Sequence, residues 1–310
     1  MALLAVALLA ASIAMLAASV TMCGASEPSA APDYAERGPY EVAVREISVP
    51  RPGGTEAFDA RLFVPLPPET AAAGLGEGSA LYAFGHGYLS PVGPYESTLE
   101  HLASWGITVV APRSGAGLRP SHEAFGADLV AALDAVAVAA AADDWEGLPV
   151  DVTARAVGGH SMGGGAAVLA AAMDPSIRTV ATLSAADTRP SAVEAAATVE
   201  VPMLLVAASE DRITPVDGHQ RPIFEAANGP TQLLIIEGGG HCGYLDQADL
   251  MGLICGRATL DAEAQRALGR AALTAWLRGE AMADAAASER AWQPEGMGGT
   301  TVEIRGRDSV

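Results

Sequence analysis

Lysine is absent from this chain: all 18 basic residues among its 310 are arginine, set against 37 Asp and Glu, and the formal net charge is −19. Phosphate backbones are bound by clustered basic surface, so nucleic acid is excluded as a partner. Acidity of this degree keeps a surface soluble, with adaptation to high salt as the rarer cause. Aromatic residues are scarce at 5%, and cysteine is limited to Cys23, Cys242 and Cys255. No Cys/His spacing matches a zinc site, and no repeat of solenoid length is visible.

Charge is also missing from the first 26 residues, which are dominated by Ala, Leu, Val, Ile and Met. Residues 1–25 are therefore expected to be an export signal, although no Lys or Arg precedes the apolar run, and a retained membrane anchor is the alternative. The stretch 20–26 resembles a bacterial lipoprotein cleavage site in which Cys23 would be lipidated, with Met22 departing from the small residue that pattern wants. Residues 26–39, rich in Pro, Ala and acidic side chains, read as a linker. Residues 40–285 are expected to form one catalytic domain and 286–310 a tail. In an exported protein Cys242 and Cys255 form an even pair, either a disulfide or two buried thiols.

Two β-rich segments, 41–49 and 58–64, flank a Pro/Gly turn and predict an opening antiparallel pair. After a Gly-rich stretch at 72–79, short apolar runs at 80–84, 107–111, 154–158, 180–184, 203–208 and 233–237 alternate with helical patterns. Those patterns cover 95–105, 122–142, 162–173 and 261–285. The alternation predicts a mostly parallel sheet with helices on both faces.

The turn Gly159-His160-Ser161-Met162-Gly163 lies between a strand-like and a helix-like segment. A Gly-x-Ser-x-Gly pentapeptide is expected by chance roughly 0.2 times in such a composition, so the context carries the inference. Strand, sharp turn and helix is the order that exposes a nucleophilic Ser at a sheet edge. A Ser hydroxyl needs a base, and His241, after the strand at 233–236 and three glycines, is the candidate. Asp211, just past the strand at 203–208, is the expected carboxylate partner, with Asp187 and Glu210 as rivals. The chain order Ser161, Asp211, His241 is that of the α/β-hydrolase fold. Backbone N–H groups of Met162 and Tyr88 are the expected oxyanion donors, and Gly87 and Tyr88 the expected substrate contacts. His86 is expected to bridge its loop to neighbours, and His101, His122 and His219 to be solvated.

These segments, with Arg37-Gly38-Pro39-Tyr40, residues 102–110, and Asp211 to Phe224 with its prolines Pro215 and Pro222, resemble the cutinase-like polyester hydrolases. That group includes bacterial poly(ethylene terephthalate) hydrolases, and the resemblance extends more loosely to chlorophyllase-type and dienelactone-hydrolase-like esterases. It implies secretion (periplasmic or cell-surface placement included), no metal or organic cofactor, and the same five site residues. The resemblance breaks at 186–191, where those hydrolases place a Trp opposite the Tyr and this chain has no aromatic residue. Cys242 also departs from their cysteine placement, so a disulfide there would pair with Cys255. The expected function is an exported serine ester hydrolase acting on short-chain or polyester-like esters through an acyl-enzyme. Amidase, thioesterase or lactonase chemistry with the same triad is the alternative, and a non-catalytic surface lipoprotein the remaining one. A small or polymeric ester is the expected partner, the chain is expected to be monomeric, and membrane contact only through an N-terminal lipid or uncleaved signal.

Overall fold

Every residue of β3 (Ser79–Gly85) is buried, as a strand must be when helices cover both of its faces. The computed structural model describes residues 33–53, 56–68, 78–247, 254–293 and 297–307. Cys23, the proposed signal at 1–25 and most of the Gly-rich stretch at 72–79 lie outside the described residues. Among the described residues no helix is long and apolar enough to cross a membrane.

The remaining strands are β1 (Val42–Pro50), β2 (Ala57–Pro65), β4 (Ile107–Pro112), β5 (Val150–His160), β6 (Thr179–Leu183), β7 (Met203–Ala208), β8 (Thr231–Ile236) and β9 (Thr300–Arg305). They form one sheet in the order β1-β2-β4-β3-β5-β6-β7-β8-β9. Pairing is parallel from β4 through β8, and antiparallel for β1 with β2, β2 with β4 and β8 with β9. This is the mostly parallel, helix-covered sheet of the α/β-hydrolase fold.

Side-chain alternation sorts the core into two layers. Tyr82, Phe84, Val109 and Leu234 face α1 (Glu96–Ser104) and a C-terminal helix, Ala262–Trp276. Leu81, Ala83, Val110 and Leu233 face α2 (His122–Ala140), α3 (Met162–Met173), α4 (Ala192–Ala196) and α5 (Gln220–Ala226). Strand β3 is followed on one side by β4 and on the other by β5. A crevice opens beyond the carboxyl ends of strands where the order reverses, the usual ligand position in such sheets.

Three expectations change. The helical pattern at 261–285 ends at Ala281, as α6 (Ala262–Trp276) continued by a π-helical turn, Leu277–Ala281, and a separate helix, α7 (Ala285–Trp292), begins beyond it. Asp284 makes the break: one carboxylate oxygen caps α7 by accepting from Ala287 N–H at 3.1 Å, and the other receives Arg278 at 2.7 Å.

Residues 286–310 are not a tail outside the domain, because they supply most of α7 and the edge strand β9. Arg221 of α5 fixes that strand with two hydrogen bonds of 2.9 Å to the Glu303 carboxylate, a bidentate geometry particular to arginine. Residues 33–39 are likewise not a free linker. Tyr34 is buried and stacks edge-on with Trp105, His101 Nε2 reaches the Tyr34 carbonyl at 3.0 Å, and Gly38 N–H donates to Ser104 Oγ at 2.8 Å.

Candidate active site

Strand β5 runs to His160, and α3 starts at Met162, so Ser161 alone makes the turn. Its φ of 56° and ψ of −120° are sterically costly for a residue with a Cβ, and such strain persists where surrounding structure enforces it. Enforcement here is close packing: a Cβ on Gly163 would lie 2.1 Å from the Gly85 carbonyl oxygen. Only glycine lets α3 press so closely on the end of β3.

His241 follows β8, in a short 3-10 segment, His241–Tyr244. Its Nε2 lies 3.0 Å from Ser161 Oγ, and its Nδ1 lies 2.7 Å from Asp211 Oδ2. Asp211 follows β7 and does two things at once. Its Oδ1 accepts the N–H groups of Ile213 and Thr214 at 2.8 Å each, closing an Asx turn, which leaves Oδ2 for the imidazole. Burial alone would push this carboxyl up. The hydrogen bond and charge of His241, with the Thr214 donors, outweigh burial and hold it below the ordinary range. Such a line can carry a proton from hydroxyl to imidazole while the carboxylate stabilises the cation.

The rival acids are committed elsewhere. Asp187 Oδ1 accepts from Ser191 Oγ at 2.8 Å and Val193 N–H at 3.3 Å. Glu210 is held by Thr259 N–H at 2.8 Å and by the Thr259 hydroxyl.

Met162 is the first residue of α3, where an N–H has no intrahelical acceptor,. The Tyr88 N–H likewise donates to no protein acceptor among the described residues. Met162 adjoins Ser161 in the chain, and Tyr88 borders the cleft with its phenol at the mouth, where the hydroxyl donates to the Leu118 carbonyl at 2.9 Å. The cleft holds about 220 Å3 and takes its walls from Gly87, Tyr88, Ile213, Leu245 and Ile254 beside His241 and Ser161. A wider depression of about 710 Å3 lies behind Asp211, between Arg212 and Arg257, and reaches neither Ser161 nor His241. It is shallow and polar, so the smaller apolar cleft is the candidate site.

Cys242 and Cys255 form a disulfide with their Cα atoms 5.9 Å apart. The bond ties the residue after His241 to the residue after Ile254, so one crosslink places both at the cleft.

Among the other histidines, His86 bridges as expected, with Nδ1 2.9 Å from the Gly87 carbonyl and Nε2 2.8 Å from that of Ser114. His101 and His219 are not solvated. His101 is buried under Tyr34, and burial pushes its imidazole down to about 4. His219 is half-buried and accepts from Asp187 N–H at 3.0 Å. Sequence reading missed Thr214, whose hydroxyl lies 2.9 Å from Asp211 Oδ2 and 3.1 Å from the Ser184 carbonyl. The Asp-x-x-Thr spacing of an Asx turn was the available signal. Ile254 had none beyond its place before a cysteine.

Comparison with known proteins places the chain in a family. "Lipase 1" of Moraxella sp. (strain TA144) is 27% identical over 216 residues, which cover 68% of this chain and 61% of that protein's length. The chain thus spans less than two thirds of that relative. The family model described as PET hydrolase-like matches residues 17–254, well over half of the sequence, and the chain belongs to that family.

Proposed function

We propose that the protein is an exported serine ester hydrolase that works through an acyl-enzyme at Ser161. The observation that carries this is the continuous line from Ser161 Oγ through His241 to Asp211, with spacings of 3.0 and 2.7 Å, at the floor of an apolar cleft. Family membership and the likeness to a lipase support ester cleavage as the reaction class.

In this reading His241 Nε2 takes the Ser161 proton as Oγ attacks the ester carbonyl. Asp211 stabilises the imidazolium, and the N–H groups of Met162 and Tyr88 receive the negative oxygen. His241 then returns the proton to the departing alcohol, leaving the acyl group on Ser161. Water, deprotonated by the same imidazole, releases the acid and restores the hydroxyl. The dipole of α3 favours the transient negative charge at its N-terminus.

Export is supported by the disulfide, which persists in oxidising compartments,. The acyl group is read as short-chain or aliphatic, because apolar contact comes from Ile213, Leu245 and Ile254 and no aromatic residue stands at 186–191. The test is a series of p-nitrophenyl esters of increasing acyl length, beside an aromatic polyester film, with wild type and Ser161→Ala. Wild type is expected to hydrolyse the short esters fastest and to take a fluorophosphonate label that the variant does not. Equal rates for the two proteins on every ester would remove the reading.

A further inference from the structure

In the wall of the cleft stand two buried polar side chains, Tyr95 and His160, that the reaction above does not use. Tyr95 is fully buried and His160 is 3% exposed, so neither competes with water for its partners. Tyr95 Oη lies 3.1 Å from Gly87 N and 2.8 Å from His160 Nδ1, and His160 Nε2 lies 3.0 Å from the His241 carbonyl oxygen.

The chemistry of the ends fixes the direction of every proton between them. A backbone N–H only donates, so Gly87 donates to Tyr95. A carbonyl only accepts, so the proton of His160 must sit on Nε2 and point at His241. A neutral imidazole then has a bare Nδ1, which accepts the single proton of the Tyr95 hydroxyl. The chain therefore runs one way, from Gly87 N–H through Tyr95 O–H and His160 to the carbonyl of His241. Burial keeps both side chains neutral: it pushes the His160 imidazole down to about 3, helped by the charge of His241, and the Tyr95 phenol up to about 12.

Each end of this chain grips a part of the site. The Gly87 carbonyl accepts from Ser90 N–H at 3.1 Å, so Gly87 is held through its N–H by Tyr95 and through its C=O by Ser90. A planar trans peptide points its N–H opposite to its C=O, so fixing the Gly87 carbonyl aims the Tyr88 N–H. At the far end the His241 backbone is held by His160, whose ring lies 4.6 Å from the His241 ring, and Ser161 follows His160 directly in the chain.

We propose that Tyr95 and His160 are positioning residues, a buried one-way hydrogen-bond relay that sets the oxyanion donor of Tyr88 and the base His241 in register about Ser161. The proposal rests on the triad reading above. Networks of this kind act as units, because cutting any bond leaves buried polar groups unpaired on both sides of the cut.

Tyr95→Phe removes the hydroxyl and keeps the ring. His160→Gln keeps a donor at the Nε2 position for His241 and has no acceptor at the Nδ1 position that Tyr95 uses. Each is expected to lower kcat by about 10- to 100-fold, as small misplacements at reacting groups do, with KM changed less than about twofold. The double variant is expected to lose no more than the worse single variant, because both cut the same relay. Two unrelated structural defects would instead multiply, and multiplied losses would overturn the relay while leaving the triad reading intact.

A nitrogen-15 spectrum of the wild-type imidazoles tests the wiring without any substrate. The His160 signals are expected to show a protonated Nε2 and an unprotonated, hydrogen-bonded Nδ1, with the Nδ1 resonance shifting in Tyr95→Phe. A proton on Nδ1, or an unshifted resonance, would overturn the relay. Wild type as inert as Ser161→Ala on every ester would instead refute the proposed function, and with it the kinetic role of the relay.

Discussion

Acid should destabilise this protein through two histidines other than His241. His101 and His160 are 6% and 3% exposed, and burial lowers their imidazoles to about 4 and about 3 from an unfolded value of 6.5. A group with a depressed folded pKa binds its proton first in the unfolded chain, so the unfolded state gains stability as pH falls below 6.5. At pH 5 both folded imidazoles are still neutral while both unfolded ones are charged. The gap of 1.5 pH units, at 1.36 kcal/mol per unit, gives about 2 kcal/mol for each and about 4 kcal/mol together. That is a large share of the roughly 5–15 kcal/mol that holds a domain folded. Asp211 adds to the same trend at lower pH, since its depressed carboxyl contributes stability above its unfolded pKa that is lost as pH falls through the folded one. The net charge of −19 opposes it, because protonating carboxylates relieves self-repulsion,. The double variant His101→Gln/His160→Gln isolates the histidine part. Urea unfolding followed by tryptophan fluorescence at pH 8 and pH 5 should show wild type losing about 4 kcal/mol more than the variant over that interval. Equal losses in the two proteins would mean that these imidazoles are not what titrates.

Further outcomes follow from the same contacts. Replacing Cys242 and Cys255 by Ala opens a loop with a sequence separation of 13; chain entropy sets the loss at about 3 kcal/mol, or a melting point lower by roughly 6–12 °C in calorimetry. Gly163→Ala drives a Cβ to 2.1 Å from the Gly85 carbonyl and should cost about 3 kcal/mol or more in urea unfolding, whereas Gly117→Ala, with nothing within 4 Å, should be nearly neutral,. Asp211→Asn keeps the Asx turn and loses the charge opposite His241, so kcat should fall by about 10^4 while the melting curve barely moves,. The Ala186 N–H donates to the Ser161 carbonyl at 2.9 Å, so Ala186→Trp adds an aromatic ring on a residue bonded to the Ser161 backbone and should raise the benzoate-to-butyrate rate ratio about fivefold.

Much of the fold was legible because burial on two faces leaves a simple mark. Strands β3, β4 and β7 are short apolar runs and were placed to within two residues. Ser161, Asp211 and His241 were legible for a related reason. Each stands just beyond a strand, and few residue types can supply a nucleophile, a base or a charge. Strand β9 reads as tail because an edge strand needs little apolar character when a neighbour's arginine fork and six ladder positions hold it.

The second ring of site residues was illegible for a deeper reason. Tyr95 and His160 are 65 positions apart, and His160 and the His241 carbonyl 81, so neither partner lies in a window that any local pattern could sample. Their chemistry is also ordinary: a Tyr in a Pro-rich turn and a His inside an elbow carry no signal until the sheet brings them together. The sheet does so because β3 and β5 are neighbours that end at the same level, with Gly85 paired to Gly159. Everything that follows β3, including Gly87, Tyr88 and Tyr95, is thereby carried to the elbow, and β8 delivers His241 to the same edge two strands further along from β6. The register between glycines is thus what converts residues of no local distinction into neighbours of Ser161. A one-residue slip between β3 and β5 would move Gly85 off Gly163 and place a side chain where the backbones now touch. The strain at Ser161, the glycine contact and the reach from Gly87 to His241 therefore depend on a single alignment of two buried strands.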